Sequence, residues 1–335
     1  MHPVNGTYVN PKIAPIPQYI YDTGGYDTPA VTQFKEKLET FQENGKFTVG
    51  DVTLVSVSPF GPLGAAAAGF ATVHAKITYK HVNNPKTQSP MEVPGLCFIR
   101  GDSAGMLCLL RNAGVDYVVF TQQARVPICD PGFFEIPAGM LNGQKQMTGF
   151  AAAITEEMHQ EVGLDLDMEK DLKFLGQSYL SPGGSDEAVH LFFTRVHCSQ
   201  GVLNHLEGKL GGLFEENEQI TARIIPLSVV RQMVRDGGLK DAKLILSLAY
   251  YDSKPEMQPW ACSRQMVMEN EKPVMRNIPS QLETLKGNCL SFGKWVKDKI
   301  SQISVNPPPL HATPRDLLSL QNKVSHAANQ VGRSD

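Results

Sequence analysis

From Phe47 the chain runs through short apolar stretches cut by Gly, Asn, Asp and Pro: "FTVGDVTLVSVSPF", "GFATVHAKITYK", "GLCFIR", "AGMLCLLRN", "DYVVFTQQARV" and "FFEIPAG". Runs this short and this rich in Val, Phe, Thr and Tyr predict an antiparallel or mixed sheet through about residue 138. The period then changes. Ile154, Met158 and Val162, spaced four apart, make the buried stripe of a helix, with Thr148 as its N-cap and Gly163 where a left-handed C-terminal residue is wanted. Strands return in "LKFLGQSYL" and "AVHLFFTRVHC", joined by the turn "SPGGSDE". After "ITARIIPL", two more helices are expected in "SVVRQMVRDG" and "LKDAKLILSLAYYD". The sum is an α/β fold, an α/β/α sandwich around a mixed sheet, with a β-rich N-terminal extension.

The two ends read differently. Residues 1–30 are rich in Pro, Gly and Tyr without a period, and residues 1–46 are assigned to an extended N-terminal arm. The main domain covers 47–252. Beyond it, 253–335 reads as a C-terminal extension outside the core, broken by Pro255, Pro259, Pro273 and Pro279. "QLETLKGNCLSFGKWVKDKISQI" is expected to be an amphipathic helix docking through Leu282, Leu290, Phe292, Trp295, Val296 and Ile300, followed by the Pro-rich linker "VNPPPLHATP". There is no internal repeat.

Composition narrows the function classes. A net charge of −3 provides no bulk basic field for nucleic acid or an anionic membrane, so a phosphate ligand would need a local site. The six cysteines form no C-x-x-C pair, which argues against a zinc site and gives no disulfide framework. No apolar run reaches the ~20 residues of a membrane span. An intracellular protein, cytoplasmic or organellar and not secreted, is the expectation.

The candidate chemistry sits on the acidic helix. Glu157 and Glu161 lie one turn apart, where two carboxylates can converge on a hard cation. An isolated E-x-x-x-E pair is more often a solvated face. Here it is preceded by "GFFEIPAGML" and closed by "EVGL". That arrangement resembles the box of the Nudix hydrolases. "VPGLCFIRG", "TQQARVP", "EIPAGML", "SPGGSDE", "LEGKLGGLFEENEQI" and "LKDAKLILSL" follow in the order seen in the ADP-sugar and ADP-ribose diphosphatase branch, especially its plant-type members.

The resemblance implies hydrolysis of a nucleoside diphosphate sugar, dependent on Mg²⁺ or Mn²⁺, to a nucleoside monophosphate and a sugar phosphate. It implies Glu157, Glu161 and the carbonyl of Ala138 as metal ligands, Glu187 as general base, Arg125 as a contact to the substrate's phosphates or terminal ribose, and Glu218 on a loop that helps close the site. His159 and His190 are left to structure or surface. The box is altered: Glu156 stands where an orienting arginine is expected, Gln160 replaces the first glutamate of the E-E pair, and Thr148 falls at the early glutamate. Two readings follow, a diphosphatase with a modified metal site, or a weakened Nudix-like domain kept as a structural or binding subunit. A homodimer, or protein partners held through the arm and the C-terminal extension, would suit the second. A third reading, action on RNA 5′ ends, is disfavoured by the lack of a basic surplus.

Overall fold

Two stretches of the chain lack the alternation of a half-buried strand, and the sheet order explains why. Strand β7 (Ser103–Asn112) buries every residue from Ser103 to Leu110, and β12 (Ala188–Cys198) is nearly as fully buried. They are interior neighbours in a ten-stranded mixed sheet, so both of their faces are covered. The computed structural model describes residues 2–4, 7–9, 29–43, 45–59, 68–141, 146–213, 218–254 and 264–277.

The described elements begin with an antiparallel pair of short strands, β1 (His2–Val4) and β2 (Thr7–Val9), and helix α1 (Pro29–Glu43). Strands β3 (Phe47–Pro59), β4 (Ala68–Asn83), β5 (Pro90–Val93) and β6 (Leu96–Ile99) form a four-stranded antiparallel sheet. The larger sheet has the order β13-β14-β8-β7-β12-β15-β16, with β9 added on β8, β10 on β7 and β11 on β12. Its remaining strands are β8 (Val115–Arg125), β9 (Asp130–Glu135), β10 (Ala138–Met140), β11 (Lys173–Tyr179), β13 (Leu210–Gly211), β14 (Ile220–Pro226), β15 (Arg264–Glu269) and β16 (Lys272–Asn277). The helices are α2 (Met147–Glu157), continued by a π-helical turn (Met158–Val162), then α3 (Gln200–Leu206), α4 (Leu227–Arg235) and α5 (Ala242–Ser253). The expected α/β class with a mixed sheet is therefore present.

The chain divides into two compact units. One comprises Met1–Ala104, Met140–Phe150 and Gln177–His190; the other comprises Gly105–Gly139, Ala151–Gly176 and Leu191–Asp335. In the first, Leu38, Ala75 and Ile77 form a small core with Phe34 and Phe41 packed against it. Phe34, Leu38 and Phe41 recur with helical spacing, which is why α1 folds inside the segment read as an extended arm. The arm assignment over 1–46 is corrected accordingly: Pro29, tolerated in the first turn of a helix, opens α1 instead of breaking it.

The boundary at 253 is also corrected. β15 lies parallel to β12, pairing Gln265 with His197 and Met266 with Cys198, and Met266 is 1% exposed. Arg264 Nη1 reaches Asp171 Oδ1 at 2.9 Å. Pro273 does not end the pattern, because it sits in β16 at the edge of the sheet, where a missing N–H is tolerated. The helix expected over 281–303, its apolar stripe and the Pro-rich linker lie outside the described residues.

Candidate metal and diphosphate site

In the second unit, the turn Ile136-Pro137-Ala138-Gly139 is held by backbone and charge together. Ile136 N–H donates to Asp241 Oδ2 at 3.0 Å, and Met106 N–H donates to the Pro137 carbonyl at 2.9 Å. Asp241 also caps α5 by accepting from Lys243 N–H, and its Oδ1 lies 3.1 Å from Lys243 Nζ. Lys243 Nζ reaches Glu135 Oε2 at 3.0 Å, and Arg125 Nε donates to Glu135 Oε1 at 2.7 Å. The result is a chain of alternating charges, Asp241–Lys243–Glu135–Arg125, around the turn. Burial works to raise the Glu135 pKa, but Lys243 and Arg125 bring it below the ordinary value. Lys243 is the mirror case, since burial lowers its pKa while Asp241 and Glu135 raise it further, above the usual lysine value.

The acidic helix lies on this turn. A Cβ built on Gly139 would stand 1.7 Å from Glu157 Oε1 and 2.2 Å from its Cδ, so the carboxylate occupies the space a larger residue would need. Glu157 is thereby placed beside Ala138. The stripe Ile154, Met158 and Val162 is fully buried, as expected. Thr148 lies within α2, not at its cap. Gly163 ends the π-helical turn with φ 77° and ψ 36°, and its N–H bonds the His159 carbonyl at 2.8 Å.

The segment "KLGG" closes the far end of the helix. Lys209 Nζ donates to the Val162 carbonyl at 3.1 Å, a cation at a helix C-terminus. A Cβ on Gly211 would fall 2.1 Å from the Glu161 carbonyl oxygen, and Gly212 N–H bonds the Gln160 carbonyl at 3.1 Å. Only glycine permits so close an approach.

Glu161 is the electrostatic outlier. Its residue is 4% exposed, and Oε2 has no hydrogen-bond partner among the described residues. Burial first, then the charges of Glu157, Glu135 and Glu218, push its pKa well above 4.5; Arg125 opposes them. Arg125 in turn feels Glu135, Glu161 and Glu218, which outweigh its burial and raise its own pKa. Arg125, Glu157, Glu161 and Glu218 thus influence one another electrostatically, with Glu157 against the Ala138–Gly139 turn. A buried carboxylate with an unsatisfied oxygen and acidic neighbours fits a hard divalent cation. Among the described residues no group of three or more His, Cys, Asp or Glu side chains stands in a metal-holding arrangement. Two glutamates with oxygens from backbone and water would then have to complete the shell, a composition hard cations accept.

Gln160 Nε2 donates to Glu156 Oε1 at 2.7 Å on the exposed side of the helix. These two side chains therefore bond to each other. His159 Nδ1 and Asp165 Oδ1 are 2.6 Å apart at the surface, with side chains 59% and 78% exposed.

Glu187 belongs to the first unit. Ser103 Oγ donates to its Oε1 at 2.7 Å, and Arg100 Nε lies 3.4 Å from Oε2. Beside it, Asp186 Oδ1 accepts the N–H groups of Arg100 and Gly101 at 2.8 and 3.1 Å. Asp102 is a second centre, accepting Ala188 N–H at 3.2 Å and Gln33 Nε2 at 2.8 Å, with Lys37 Nζ at 3.1 Å. Burial tends to raise the Asp102 pKa, but His190 and Lys37 hold it down at about 2. His190 is buried, with Nε2 3.6 Å from Asp102 Oδ2 and its ring 4.1 Å from that of Phe150. Sequence reasoning missed Lys37, Asp102, Asp186, Glu135, Asp241 and Lys243. All but Lys37 fall within or beside the motifs already quoted, so buried charges in those motifs were the available signal.

No family model matches the chain. Nudix hydrolase 14, chloroplastic, of Arabidopsis thaliana is 33% identical over 217 residues, which span 62% of this chain and 64% of that protein. GDP-mannose pyrophosphatase of Salmonella typhimurium is 30% identical over 151 residues, 44% of this chain and 72% of the relative. The protein of the same name from Yersinia pestis is 31% identical over 156 residues, 45% and 71% of the two chains. A crystal structure of an ADP compounds hydrolase has a TM-score of 0.44 at 14% identity, covering 64% of this chain and 96% of that one. The match spans less than two thirds of the Arabidopsis relative but more than two thirds of the two pyrophosphatases, and the chain belongs to the Nudix hydrolases.

Proposed function

We propose that this chain hydrolyses the diphosphate of a nucleoside diphosphate sugar of the ADP-ribose or ADP-glucose type, giving a nucleoside monophosphate and a sugar phosphate, with Mg²⁺ or Mn²⁺. The observation that carries the reading is Glu161, a buried carboxylate with an unsatisfied oxygen and acidic neighbours on the helix that also carries Glu157. A bound divalent cation would supply charge neutralisation on the diphosphate oxygens and orient the attacking water. Glu157, Glu161 and the Ala138 carbonyl would hold it. Arg125, whose side chain is 39% exposed despite its bond to Glu135, retains N–H groups to contact a phosphate or a terminal ribose. Glu218 would contribute to binding the substrate. Glu187, held by Ser103 and Arg100, would take the proton from water as the phosphorus–oxygen bond forms.

The relatives named for GDP-mannose make that nucleotide sugar a necessary member of any panel. One relative is named as chloroplastic, which supports an organellar compartment. The four free cysteines among the described residues agree with a reducing one. Among the described residues no helix is long and apolar enough to cross a membrane.

A second reading, a binding or structural subunit with little turnover, is supported by Glu156, which stands bonded to Gln160 where an orienting cation is expected. One assay separates the two. ADP-ribose, ADP-glucose, GDP-mannose, UDP-glucose, NADH and triphosphorylated RNA are incubated with the full chain in Mg²⁺ and in EDTA. Release of a nucleoside monophosphate in Mg²⁺ alone is expected from one of the nucleotide sugars. No turnover of any substrate, with the protein folded, would contradict the enzymatic reading.

A further inference from the structure

Within the first unit, the loop carrying Glu187 is fastened from three directions. Asp186 receives the backbone N–H groups of Arg100 and Gly101, Ala188 N–H is received by Asp102, and Glu187 itself is held by Ser103 and Arg100. The fastening is completed from α1. Lys37 Nζ donates to Asp102 Oδ1 at 3.1 Å and to the Asp186 carbonyl at 3.0 Å, and stands 3.7 Å from Asp186 Oδ2. Gln33, one turn earlier on the same face, donates to Asp102 Oδ2 at 2.8 Å. One ammonium thus touches both the aspartate that holds residue 188 and the peptide that precedes residue 187.

The buried charges need that ammonium. Asp102 and Asp186 are 8% and 7% exposed, and both send oxygens toward Lys37. Asp102 also has His190 Nε2 at 3.6 Å, but Lys37 is the cation the two carboxylates share, and without it their repulsion would recruit water or protons and move the loop. The apolar stripe Phe34, Leu38 and Phe41 seats the helix on its small core, so Lys37 is presented by a packed element.

We propose that α1 is a positioning element for the general base, and that Lys37 is the positioning residue through which it fixes the backbone on both sides of Glu187. The proposal rests on the reading of Glu187 as the base. Lys37 touches no reacting atom; its effect runs through Asp102 and the Asp186 carbonyl. A base displaced by about 1 Å can lose roughly 100-fold in rate, so loosening this loop acts on the chemical step and leaves substrate affinity alone.

The test uses the full chain with Lys37→Met, which keeps the stem and removes the charge, and with Lys37→Arg, which keeps the charge. Two quantities are read: kcat and KM on whichever nucleotide sugar the panel selects, and hydrogen–deuterium exchange of the peptide spanning 181–190. For Lys37→Met, kcat is expected to fall about 10-fold or more with KM within twofold, and exchange in 181–190 to quicken. Lys37→Arg is expected to recover most of both. Unchanged exchange in folded Lys37→Met, or a rise in KM with kcat preserved, would overturn the proposal. If Lys37→Met does not fold, Gln33→Leu tests the same link with a smaller quickening expected, and no change there overturns it. Wild-type protein with no turnover would overturn the diphosphatase reading and the catalytic purpose of the helix, while the exchange data would still report whether α1 fixes the loop.

Discussion

Around Glu187 the acidic groups are compensated, whereas Glu161 feels chiefly other carboxylates. Asp102 has Lys37, Gln33 and the Ala188 N–H, and Glu187 has Ser103 and Arg100. Glu161 has a buried oxygen without a hydrogen bond among the described residues and feels the charges of Glu157, Glu135 and Glu218, which with its burial outweigh that of Arg125. The pKa directions follow that difference: Asp102 is held at about 2, while Glu161 is pushed up by its burial and its neighbours. The compensated Asp102 and Asp186 hold the backbone around Glu187, while a buried carboxylate among like charges stores a demand for positive charge. The second unit contains its own control, since Glu135 is as deeply buried as Glu161 yet is bonded to both Arg125 and Lys243.

The largest effect is expected from deleting the uncompensated charge. Glu161→Gln should lower Mg²⁺-dependent turnover by about 100-fold or more, a loss of several kcal/mol of transition-state stabilisation, measured as kcat/KM. Retention of wild-type turnover would remove Glu161 from the metal site. Next comes the control: Lys243→Met leaves Glu135 and Asp241 short of a partner and should destabilise the fold by about 3–5 kcal/mol, read from denaturant unfolding. A change below about 1 kcal/mol would mean that water replaces the lysine at little cost.

Gly139→Ala is expected to act on Glu157 in particular. The new methyl occupies the position of the carboxylate, so Mg²⁺ affinity should fall by about 10-fold, comparable with loss of a supporting contact, while the far-UV spectrum stays unchanged. Unaltered affinity would show that Glu157 can turn elsewhere and still bind.

Glu156 and Gln160 sharpen the comparison from the other side. Because Gln160 already donates to Glu156, Gln160→Glu alone removes that hydrogen bond and sets two carboxylates one turn apart. Only together with Glu156→Arg should it raise turnover, by about 10-fold if the usual outer-contact support returns. A single substitution equal to the double would break the coupling. The smallest effect concerns acid stability. Asp102 has a depressed folded-state pKa of about 2, so its contribution is present above the unfolded value of 3.8 and is lost as pH falls through about 2. Asp102→Asn should flatten the loss of stability between pH 4 and pH 2 relative to wild type, and a parallel pair of curves would show that Asp102 is not the titrating group.

Much of this was legible because the motifs are made of residues with unusual demands. The buried stripe Ile154, Met158 and Val162, and Gly163 with its positive φ, follow from spacing and residue type. Gly211 had no visible reason until the Glu161 carbonyl was found against it. Helix α1 was hidden by the Pro- and Gly-rich sequence before it, although Phe34, Leu38 and Phe41 carried its period. The β15–β16 pair was obscured by Pro273, which an edge strand accommodates. Least legible were the long-range charge pairs: Lys37 with Asp102 and Lys243 with Glu135 are separated by 65 and 108 positions, and no local pattern reports which lysine neutralises which acid.

The most direct test of the contrast is thermal unfolding of wild-type and Glu161→Gln protein as a function of Mg²⁺ and pH. The folded-state pKa of Glu161 is raised, so without metal its neutral form is favoured and stability should fall as pH rises from about 4.5 through the raised value. Glu161→Gln should remove that loss and unfold at a higher temperature than wild type in EDTA at pH 8. Adding Mg²⁺ should raise the wild-type transition and leave the variant nearly unmoved, reversing their order. Equal Mg²⁺ shifts in both proteins, or a variant less stable than wild type in EDTA, would contradict an uncompensated carboxylate held ready for a cation.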